Sequence, residues 1–153
     1  MNSSRAFTII ELIFVIVVLG ILAGVALPKF GKTREIADLA KGRADVATIR
    51  TAIVNERQTQ VIKGNPLYIT KLSPSTSSTT LFTGDGVNRT LLTYGIKAGT
   101  GSGDWAITSE NVYTFKVGST TTTFTYYPTD SGSNKAGTFV CTPDTNDCNA
   151  LVD

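Results

Sequence analysis

A long apolar segment near the N-terminus constrains this chain more than any other feature. Residues 7–27 (FTIIELIFVIVVLGILAGVAL) contain a single charged residue, Glu11. A helix of this length is about 31 Å long, which matches a hydrocarbon core of about 30 Å. A lone segment in lipid must satisfy its own backbone hydrogen bonds, and only a helix does so. The segment is therefore predicted to be a membrane-spanning helix.

Three other interpretations of this segment are a secretory signal peptide, a plain membrane anchor and a buried core helix. Residues 24–26 are small enough for signal-peptide cleavage, but only Arg5 precedes the segment as a positive side chain, and the segment exceeds the usual length of about 7–15 residues. Little of the downstream sequence could cover a core helix on all sides. A carboxylate at Glu11 costs roughly 2.5–3.5 kcal/mol within an apolar span, so a functional reason for its presence is expected.

A second helical pattern follows the apolar segment. Pro28 removes one backbone donor and is expected to kink the helix or offset its axis. Beyond Pro28, apolar residues recur at three- and four-residue steps among charged residues, which is typical of an amphipathic helix with one face to bury. The sequence Gly64-Asn65-Pro66 is a stop signal. We therefore predict one long helix over residues 7–63, with an apolar half (7–27) and an amphipathic half (28–63).

Residues 64–153 carry the signals of short strands and turns. Candidate strands are residues 67–72, 91–96, 111–117, 120–127 and 137–141. Gly118-Ser119 is a good hairpin turn, and residues 73–80 (SPSTSSTT) are a low-complexity polar loop. The expected fold class is α+β: the long N-terminal helix packs its amphipathic half on a small antiparallel sheet of about three to five strands.

The two cysteines, Cys141 and Cys148, lie close together in a region rich in Thr, Ser and Gly. This arrangement suggests an oxidising compartment outside the cytoplasm and a disulfide worth roughly 2–3 kcal/mol, with two free buried thiols as the alternative. Between the cysteines, Asp144, Asn146 and Asp147 offer oxygen atoms of the kind that calcium prefers. Their spacing is not that of an EF-hand loop, and a solvated turn is the commoner explanation, so they are weak calcium candidates.

Composition argues against catalysis and against a nucleic-acid partner. The chain has 153 residues, no histidine and a formal net charge of +2. This charge is too small to predict direct nucleic-acid binding. Without histidine the commonest general base and metal ligand is missing. The acids Asp85, Asp104 and Glu110 are isolated in loop-like contexts, and Trp105 is interpreted as a core or loop anchor. No catalytic residue, cofactor or firm metal site is predicted.

The first 55 residues or so resemble the type IV pilin and type II secretion pseudopilin superfamily. A short polar leader ends in Arg5-Ala6 and is followed by Phe7, Glu11, the apolar run and Pro28. Members of the superfamily carry a leader that is cut before a Phe, a Glu at the fifth position of the mature chain and often a Pro at the twenty-second. Cleavage between Ala6 and Phe7 places Glu11 and Pro28 at those positions. Ala6 is a difference, since the family usually has Gly there.

The resemblance implies a mechanism of processing and assembly. Residues 1–6 are expected to be a prepilin leader that a prepilin peptidase removes before methylating the new amine of Phe7. An inner-membrane assembly platform would then extract subunits from the lipid into a helical filament, with the long helices at its centre. Glu11 is expected to pair with the N-terminal amine of a neighbouring subunit. This pairing would neutralise two charges in an apolar core and fix the axial register.

The function implied is that of a non-enzymatic structural subunit. The short soluble region and the junction at residues 27–30 favour a pseudopilin of a type II secretion system. A type IV pilus subunit and a pilin-like subunit of a DNA-uptake machine remain alternatives, as does a membrane-anchored periplasmic binding module. The expected location is the bacterial inner membrane, with one span, a cytoplasmic N-terminus and a periplasmic C-terminal region. Lys29, Lys32 and Arg34 favour the opposite orientation, but the cysteine pair and the resemblance outweigh them.

Overall fold

The first element is the long helix α1, which covers Ile9–Ile62. The computed structural model describes residues 7–142 and 146–152, and at residues 27–30 and 146–147 it describes the backbone alone. The predicted helix over residues 7–63 is confirmed to within two residues at each end. The helix continues through Pro28, and the expected kink at that residue stays a prediction.

The chain divides into two compact units, Met1–Ile36 and Ala37–Asp153, called here the N-terminal unit and the C-terminal unit. The N-terminal unit contributes the first part of α1. Every residue from 7 to 25 is exposed, including all of the large apolar side chains. This unit therefore has no apolar core of its own among its described residues.

The C-terminal unit contains the strands and a second helix. The elements after α1 are β1 (Thr80–Leu81), β2 (Ile96–Lys97), β3 (Trp105–Ser109), β4 (Val112–Val117), β5 (Thr120–Tyr127), β6 (Thr138–Thr142) and α2 (Asn146–Val152). Strands β3, β4, β5 and β6 form one antiparallel sheet in sequence order, and β1 pairs with β2 in a separate two-stranded sheet. The fold is thus the expected α+β, pilin-like arrangement of a long helix and small antiparallel sheets.

Part of α1 packs on the sheet through the apolar stripe that the sequence predicted. Val46, Ile49 and Ile53 are buried in one cluster with the aromatic side chains of the sheet. Trp105 is fully buried at the centre of that cluster, and its indole N–H donates to the Asp45 carboxylate over 3.0 Å. The interpretation of Trp105 as a core anchor is therefore confirmed.

Gly42 lies where α1 packs tightly against β4 and α2. A Cβ atom at this position would lie 2.4 Å from Cε1 of Phe115 and 2.6 Å from Cδ2 of Leu151. No side chain fits there without moving its neighbours. A glycine at this point of the helix therefore allows the aromatic core and α2 to reach the helix backbone.

The hairpin of β4 and β5 and the strand β6 confirm three of the predicted strands. Gly118 adopts the positive φ of 58° that the predicted turn requires. One further predicted strand was wrong, and two elements were missed. Residues 91–96 form a strand only at their end, where Ile96 begins β2, and β3 and α2 were not predicted as a strand and a helix.

The predicted strand at residues 67–72 is also absent, although Ile69 and Leu72 are fully buried. The side chain of Asn111 holds this segment instead of a neighbouring strand. Its amide nitrogen donates to the Thr70 carbonyl over 2.7 Å, and its amide oxygen accepts from the Leu72 N–H over 3.3 Å. The alternating pattern therefore reflects burial of alternate side chains without a strand ladder.

A disulfide between Cys141 and Cys148 joins β6 to α2. The helix is also held at its far end, where Leu151 is buried and the Arg43 Nε–H donates to the Ala150 carbonyl. The expected covalent link is thus present. It fixes α2, which contributes Leu151 to the core.

Candidate functional site

The N-terminal end of α1 carries the residues that the sequence singled out. Thr8 precedes the helix, and its Oγ1 accepts a hydrogen bond from the Glu11 N–H over 3.3 Å. The Thr8 carbonyl accepts the first intrahelical bond, from the Leu12 N–H over 3.2 Å. Thr8 is therefore the N-cap of the helix, and Glu11 occupies the third helical position.

The position of Glu11 in the first helical turn stabilises its carboxylate. The spacing Thr8-x-x-Glu11 is that of a capping box, in which the acid lies near the helix N-terminus. A carboxylate there interacts favourably with the positive end of the helix dipole. Sequence reasoning identified Glu11 and missed Thr8, although the capping-box spacing was available as a signal.

Glu11 has no ion-pair partner among the described residues. The described ion pairs join Lys41 to Asp45, Lys71 to Glu110, Arg89 to Glu56 and Lys135 to Asp130, all within the C-terminal unit. Thr8 caps the helix by accepting a hydrogen bond from the Glu11 backbone N–H, but it carries no positive charge that could pair with the Glu11 carboxylate.

The apolar surface around Glu11 is the second feature of the site. Within the described residues, α1 is long and apolar enough to cross a membrane, and its most apolar stretch is fully exposed. A Cβ atom at Gly20 or Gly24 would meet no atom of this chain within 4 Å. Their four-residue spacing in an apolar helix suits the close approach of a second helix. Nothing within the described chain requires glycine at these two positions.

The remaining N-terminal residues are placed as follows. Phe7 lies just before the helix and is 74% exposed. Ala6 lies outside the described residues. Pro28 lies within α1, and only its backbone is described. The structure therefore brings Thr8 and Glu11 together, and the roles of Ala6 and Pro28 stay predictions.

The weak calcium candidates receive no support. Asp144 lies outside the described residues, and Asn146 and Asp147 lie in α2 with only their backbone described. No group of three or more His, Cys, Asp or Glu side chains that could hold a metal ion occurs in the described part of the chain. Asp130 accepts hydrogen bonds from the Ala136 N–H and from Lys135, which lower its pKa. The Asp130 carboxylate therefore makes hydrogen bonds within its own loop.

Two buried phenols of the C-terminal unit, those of Tyr113 and Tyr126, have structural roles. Burial raises the pKa of Tyr113 to about 12, and its hydroxyl donates to Ser73 Oγ over 2.9 Å. Burial likewise raises the pKa of Tyr126, whose hydroxyl donates to the Ile69 carbonyl over 2.8 Å. Both phenols hold the segment around residues 69–73 against the sheet. They stay protonated at neutral pH and are poor candidates for acid–base chemistry.

The carboxylate of Glu56 forms a buried pair with Arg89. The guanidinium donates to both carboxylate oxygens, with Nε 2.6 Å from Oε1, and also to the Leu67 carbonyl. An open groove of about 590 Å³ runs beside this pair, lined mainly by threonine and alanine side chains of α1 and by residues 90–93. The groove contains no nucleophile and base in contact, so its described walls offer no catalytic arrangement.

Comparison with known proteins bears on the N-terminal site. The family model of the prokaryotic N-terminal methylation motif matches residues 1–27. No curated protein and no solved structure gives a match to this chain. The matched range contains Thr8, Glu11, Gly20 and Gly24, which are the residues that the geometry places in the capped, exposed helix. The chain therefore carries the prepilin-type N-terminal methylation motif of the type IV pilins and pseudopilins, on a pilin-like α+β fold.

Proposed function

We propose that this protein is a pseudopilin, a structural subunit that polymerises into the filament of a type II secretion system. One observation carries the proposal: the methylation motif over residues 1–27 coincides with an apolar helix whose side chains are exposed from residue 7 to residue 25. Such a surface requires lipid before assembly and neighbouring helices after it. The role is mechanical, and no catalysis by this chain is invoked.

Processing creates the mature N-terminus, which lies at the start of the helix that packs in the filament. Prepilin peptidase removes residues 1–6 between Ala6 and Phe7 and methylates the new amine of Phe7. The amine then lies one residue before Thr8, the N-cap of α1. Cleavage thus places a positive charge four residues before Glu11, at the start of the same helix.

Pairing between chains follows from the cost of isolated charges. A carboxylate or an ammonium group costs several kcal/mol when it is buried unpaired, and breaking one half of a buried pair costs about 3–5 kcal/mol. In the filament, Glu11 of one subunit meets the Phe7 amine of its neighbour. Only one axial stagger brings the two groups together, so the pair sets the register while Gly20 and Gly24 allow the helices to approach closely.

The same proposal places the chain in the cell. Residues 7–27 span the inner membrane once, the N-terminus is cytoplasmic and the C-terminal unit is periplasmic. The Cys141–Cys148 disulfide fits an oxidising compartment. Residues 28–63 link the span to the β-rich region 64–153, and a kink at Pro28 is part of this proposal. The partners are other copies of the chain, the peptidase, the assembly platform and membrane lipid.

The mature N-terminus tests the first step. The protein is purified from membranes of its host, and its N-terminal peptide is measured by mass spectrometry. Methylated Phe7 as the first residue is the expected result. An intact Met1 would indicate a membrane-anchored binding module instead, and a chain beginning at residue 27 would indicate secretion behind a signal peptide.

A charge substitution tests assembly. We expect Glu11→Ala and Glu11→Gln to reduce filament yield at least tenfold by electron microscopy, while processing continues. Glu35→Gln is the matched control, because Glu35 is an exposed acid on the same helix outside the apolar stretch. Normal filaments from a processed Glu11→Ala chain would rule out the pairing mechanism.

The choice of system needs a separate readout. Deletion of the gene should abolish export of folded proteins if the chain is a pseudopilin. Loss of surface pili with normal export would assign it to a type IV pilus, and loss of transformation alone would assign it to a DNA-uptake machine. Each alternative leaves the N-terminal processing unchanged, so this experiment is independent of the first.

A further inference from the structure

The outer face of the four-stranded sheet, which points away from α1, is rich in threonine. Side chains alternate between the two faces of a strand, and the buried residues Tyr113, Phe115 and Phe124 define the inner face. The positions between them face outwards and are partly or fully exposed. The outward threonines of β4, β5 and β6 are Thr114, Thr121, Thr123, Thr125, Thr138 and Thr142. They are called the threonine face here.

Strand pairing aligns these side chains in rows. Thr123 of β5 lies opposite Thr114 of β4 on one side and opposite Thr142 of β6 on the other. Neighbouring strands are about 4.8 Å apart, so the three side chains repeat at that distance across the sheet. In the next row along the strands, Thr125 lies between Val112 and Val140. A row of hydroxyl groups therefore lies beside a mainly aliphatic row.

The threonine face carries free hydroxyl groups and almost no charge. Within the described part of the chain, no hydrogen bond joins the hydroxyl groups of Thr114, Thr123 and Thr142 to another protein atom. Lys116 is the only charged residue of strands β3 to β6, and its Nζ donates to the Thr100 carbonyl over 3.5 Å. The surface thus offers hydroxyl donors and acceptors together with methyl groups.

This chemistry disfavours three classes of partner. A single lysine provides little attraction for the phosphates of a nucleic acid. A membrane surface requires a broad apolar face with flanking cations, and the threonine face has neither. Threonine and valine are under-represented among the residues that dominate binding between proteins. An uncharged polysaccharide suits the surface better, because its sugar rings carry hydroxyl groups at their rims and C–H groups on their faces.

We propose that the threonine face binds an extended, uncharged polysaccharide chain that lies across strands β4, β5 and β6. The sugar units of a 1,4-β-linked glucan repeat at nearly the spacing of neighbouring strands. Each unit therefore meets one hydroxyl group of the row formed by Thr114, Thr123 and Thr142, while the aliphatic row contacts the C–H groups.

Two further features of the sheet support this ligand. Tyr127 lies two residues beyond Thr125 on the same face of β5 and adds an aromatic surface for a sugar ring. A flexible glycan chain also follows the sheet twist of about 20–25° per strand, which a rigid crystalline surface does not. The proposal concerns the C-terminal unit alone and does not depend on filament assembly.

Binding of cellohexaose, a soluble 1,4-β-linked glucan, to the full chain tests the proposal. The chain is kept in micelles of a detergent without a sugar head group, and threonine methyl resonances are followed by nuclear magnetic resonance. Saturable shifts are expected at Thr114, Thr123 and Thr142 as cellohexaose rises to about 10 mM, which nearly fills a millimolar site. Thr90 and Thr93, which lie beside α1, should change little.

The shape of the sugar chain provides the comparison. Maltohexaose has the same sugar units in a 1,4-α-linked chain that is not extended, and it should bind at least fivefold more weakly. Equal binding of the two sugars, or no shift with cellohexaose at about 10 mM, would overturn the proposal.

A charged probe separates hydroxyl recognition from charge attraction. Cellohexaose binding should change less than twofold between 50 and 500 mM salt, because the ligand carries no charge to screen. A galacturonic acid hexamer, with a carboxylate on every sugar, should bind no more tightly than cellohexaose. Tighter, salt-sensitive binding of this hexamer would assign the attraction to Lys116 and contradict the proposal.

Variants locate the site. Thr114→Val/Thr123→Val/Thr142→Val replaces each hydroxyl with a methyl group and keeps the β-branched shape, so circular dichroism should show an intact fold. This variant should bind cellohexaose at least fivefold more weakly, whereas Thr90→Val/Thr93→Val should stay within twofold of the unaltered chain. Thr123→Val alone, at the centre of the row, should weaken binding about twofold and serves if the triple variant fails to fold. Unchanged affinity in a folded variant of the row would refute the assignment.

Discussion

The N-terminal unit and the C-terminal unit bury their apolar side chains to opposite extents. In the first, Phe14 is 68% exposed and the surrounding residues from 7 to 25 are exposed as well. In the second, Trp105 and Phe124 are fully buried within an aromatic cluster. Both regions are rich in large apolar residues, so composition alone does not explain the difference.

The C-terminal unit is stabilised by burial of its own apolar side chains. The apolar side chains of the N-terminal unit can be buried only by its surroundings. The C-terminal unit removes its apolar groups from water through its own chain, which gives it a free energy of unfolding of its own. The N-terminal unit satisfies its backbone as a helix, but its side chains gain burial only from lipid or from other helices. Substitutions in the two regions should therefore appear in different measurements.

The largest effect should come from the aromatic core. We expect Trp105→Ala to lower the free energy of unfolding of the C-terminal unit by about 3–5 kcal/mol, because a fully buried indole and its bond to Asp45 are lost. The measurement is urea unfolding of the full chain in micelles, followed by circular dichroism. Phe14→Ala is the control from the N-terminal unit and should change this value by less than about 0.5 kcal/mol. Similar losses in the two variants would break the comparison.

A buried ion pair should give the next largest effect. Glu56→Ala leaves Arg89 uncompensated where its side chain is only 12% exposed, and we expect a loss of about 3 kcal/mol in the same unfolding experiment. Glu56→Met/Arg89→Met removes both charges and should recover most of that loss. A double variant that is less stable than Glu56→Ala would show that the pair itself stabilises the unit.

Alkaline pH should weaken the C-terminal unit through Tyr113. Burial raises the pKa of its phenol to about 12 in the folded state, whereas an unfolded tyrosine ionises near 10. The stability from this group is therefore complete below pH 10 and is lost as the pH rises from 10 to 12, by up to about 2–3 kcal/mol. Urea midpoints measured across this range should fall, and the fall should be smaller in Tyr113→Phe. An equal fall in both proteins would exclude Tyr113 as the cause.

Two helical glycines provide a matched pair for the comparison. Gly42→Ala should destabilise the C-terminal unit by about 1–3 kcal/mol, because the new methyl group would overlap Phe115 and Leu151. Gly20→Ala should not change unfolding of that unit, since a methyl group there meets no atom of the chain within 4 Å. Its effect should appear in filament yield instead. If Gly42→Ala reduced filament yield and Gly20→Ala did not, the assignment of Gly20 to helix packing in the filament would be wrong.

The smallest effect should come from the helix cap. Thr8→Val removes the hydroxyl that accepts from Glu11, and we expect the first turn of α1 to lose about 1 kcal/mol. Hydrogen exchange of the Glu11 amide in micelles should become about fivefold faster, while urea unfolding of the C-terminal unit stays the same. Thr8→Ser keeps a hydroxyl and is the control. Unchanged exchange in Thr8→Val would show that the cap contributes nothing in micelles.

Patterns that depend on neighbouring residues were predictable. The bounds of α1 followed from its apolar periodicity and from the stop at Pro66, and the β4–β5 hairpin followed from alternation on both sides of Gly118. Glu11 could be singled out because a lone charge in an apolar span is unusual. Thr8 was equally accessible through its spacing to Glu11.

Features set by distant contacts were not predictable. Residues 67–72 alternate like a strand, yet their backbone is held by Asn111 and by the hydroxyl of Tyr126. Nothing near these residues in sequence indicates those partners. A sequence pattern shows which side chains are buried, but tertiary contacts decide what satisfies their backbone.

Trp105 also has a spectroscopic consequence. It is the single tryptophan of the chain, and its ring lies among those of Phe82, Phe115 and Phe124. An indole in such surroundings should emit at short wavelength and should shift to the red when the C-terminal unit opens. The N-terminal helix has no tryptophan and adds no emission of its own. Intrinsic fluorescence therefore provides a label-free record of whether the folded unit stays intact during the proposed transfer of the helix from lipid into a filament.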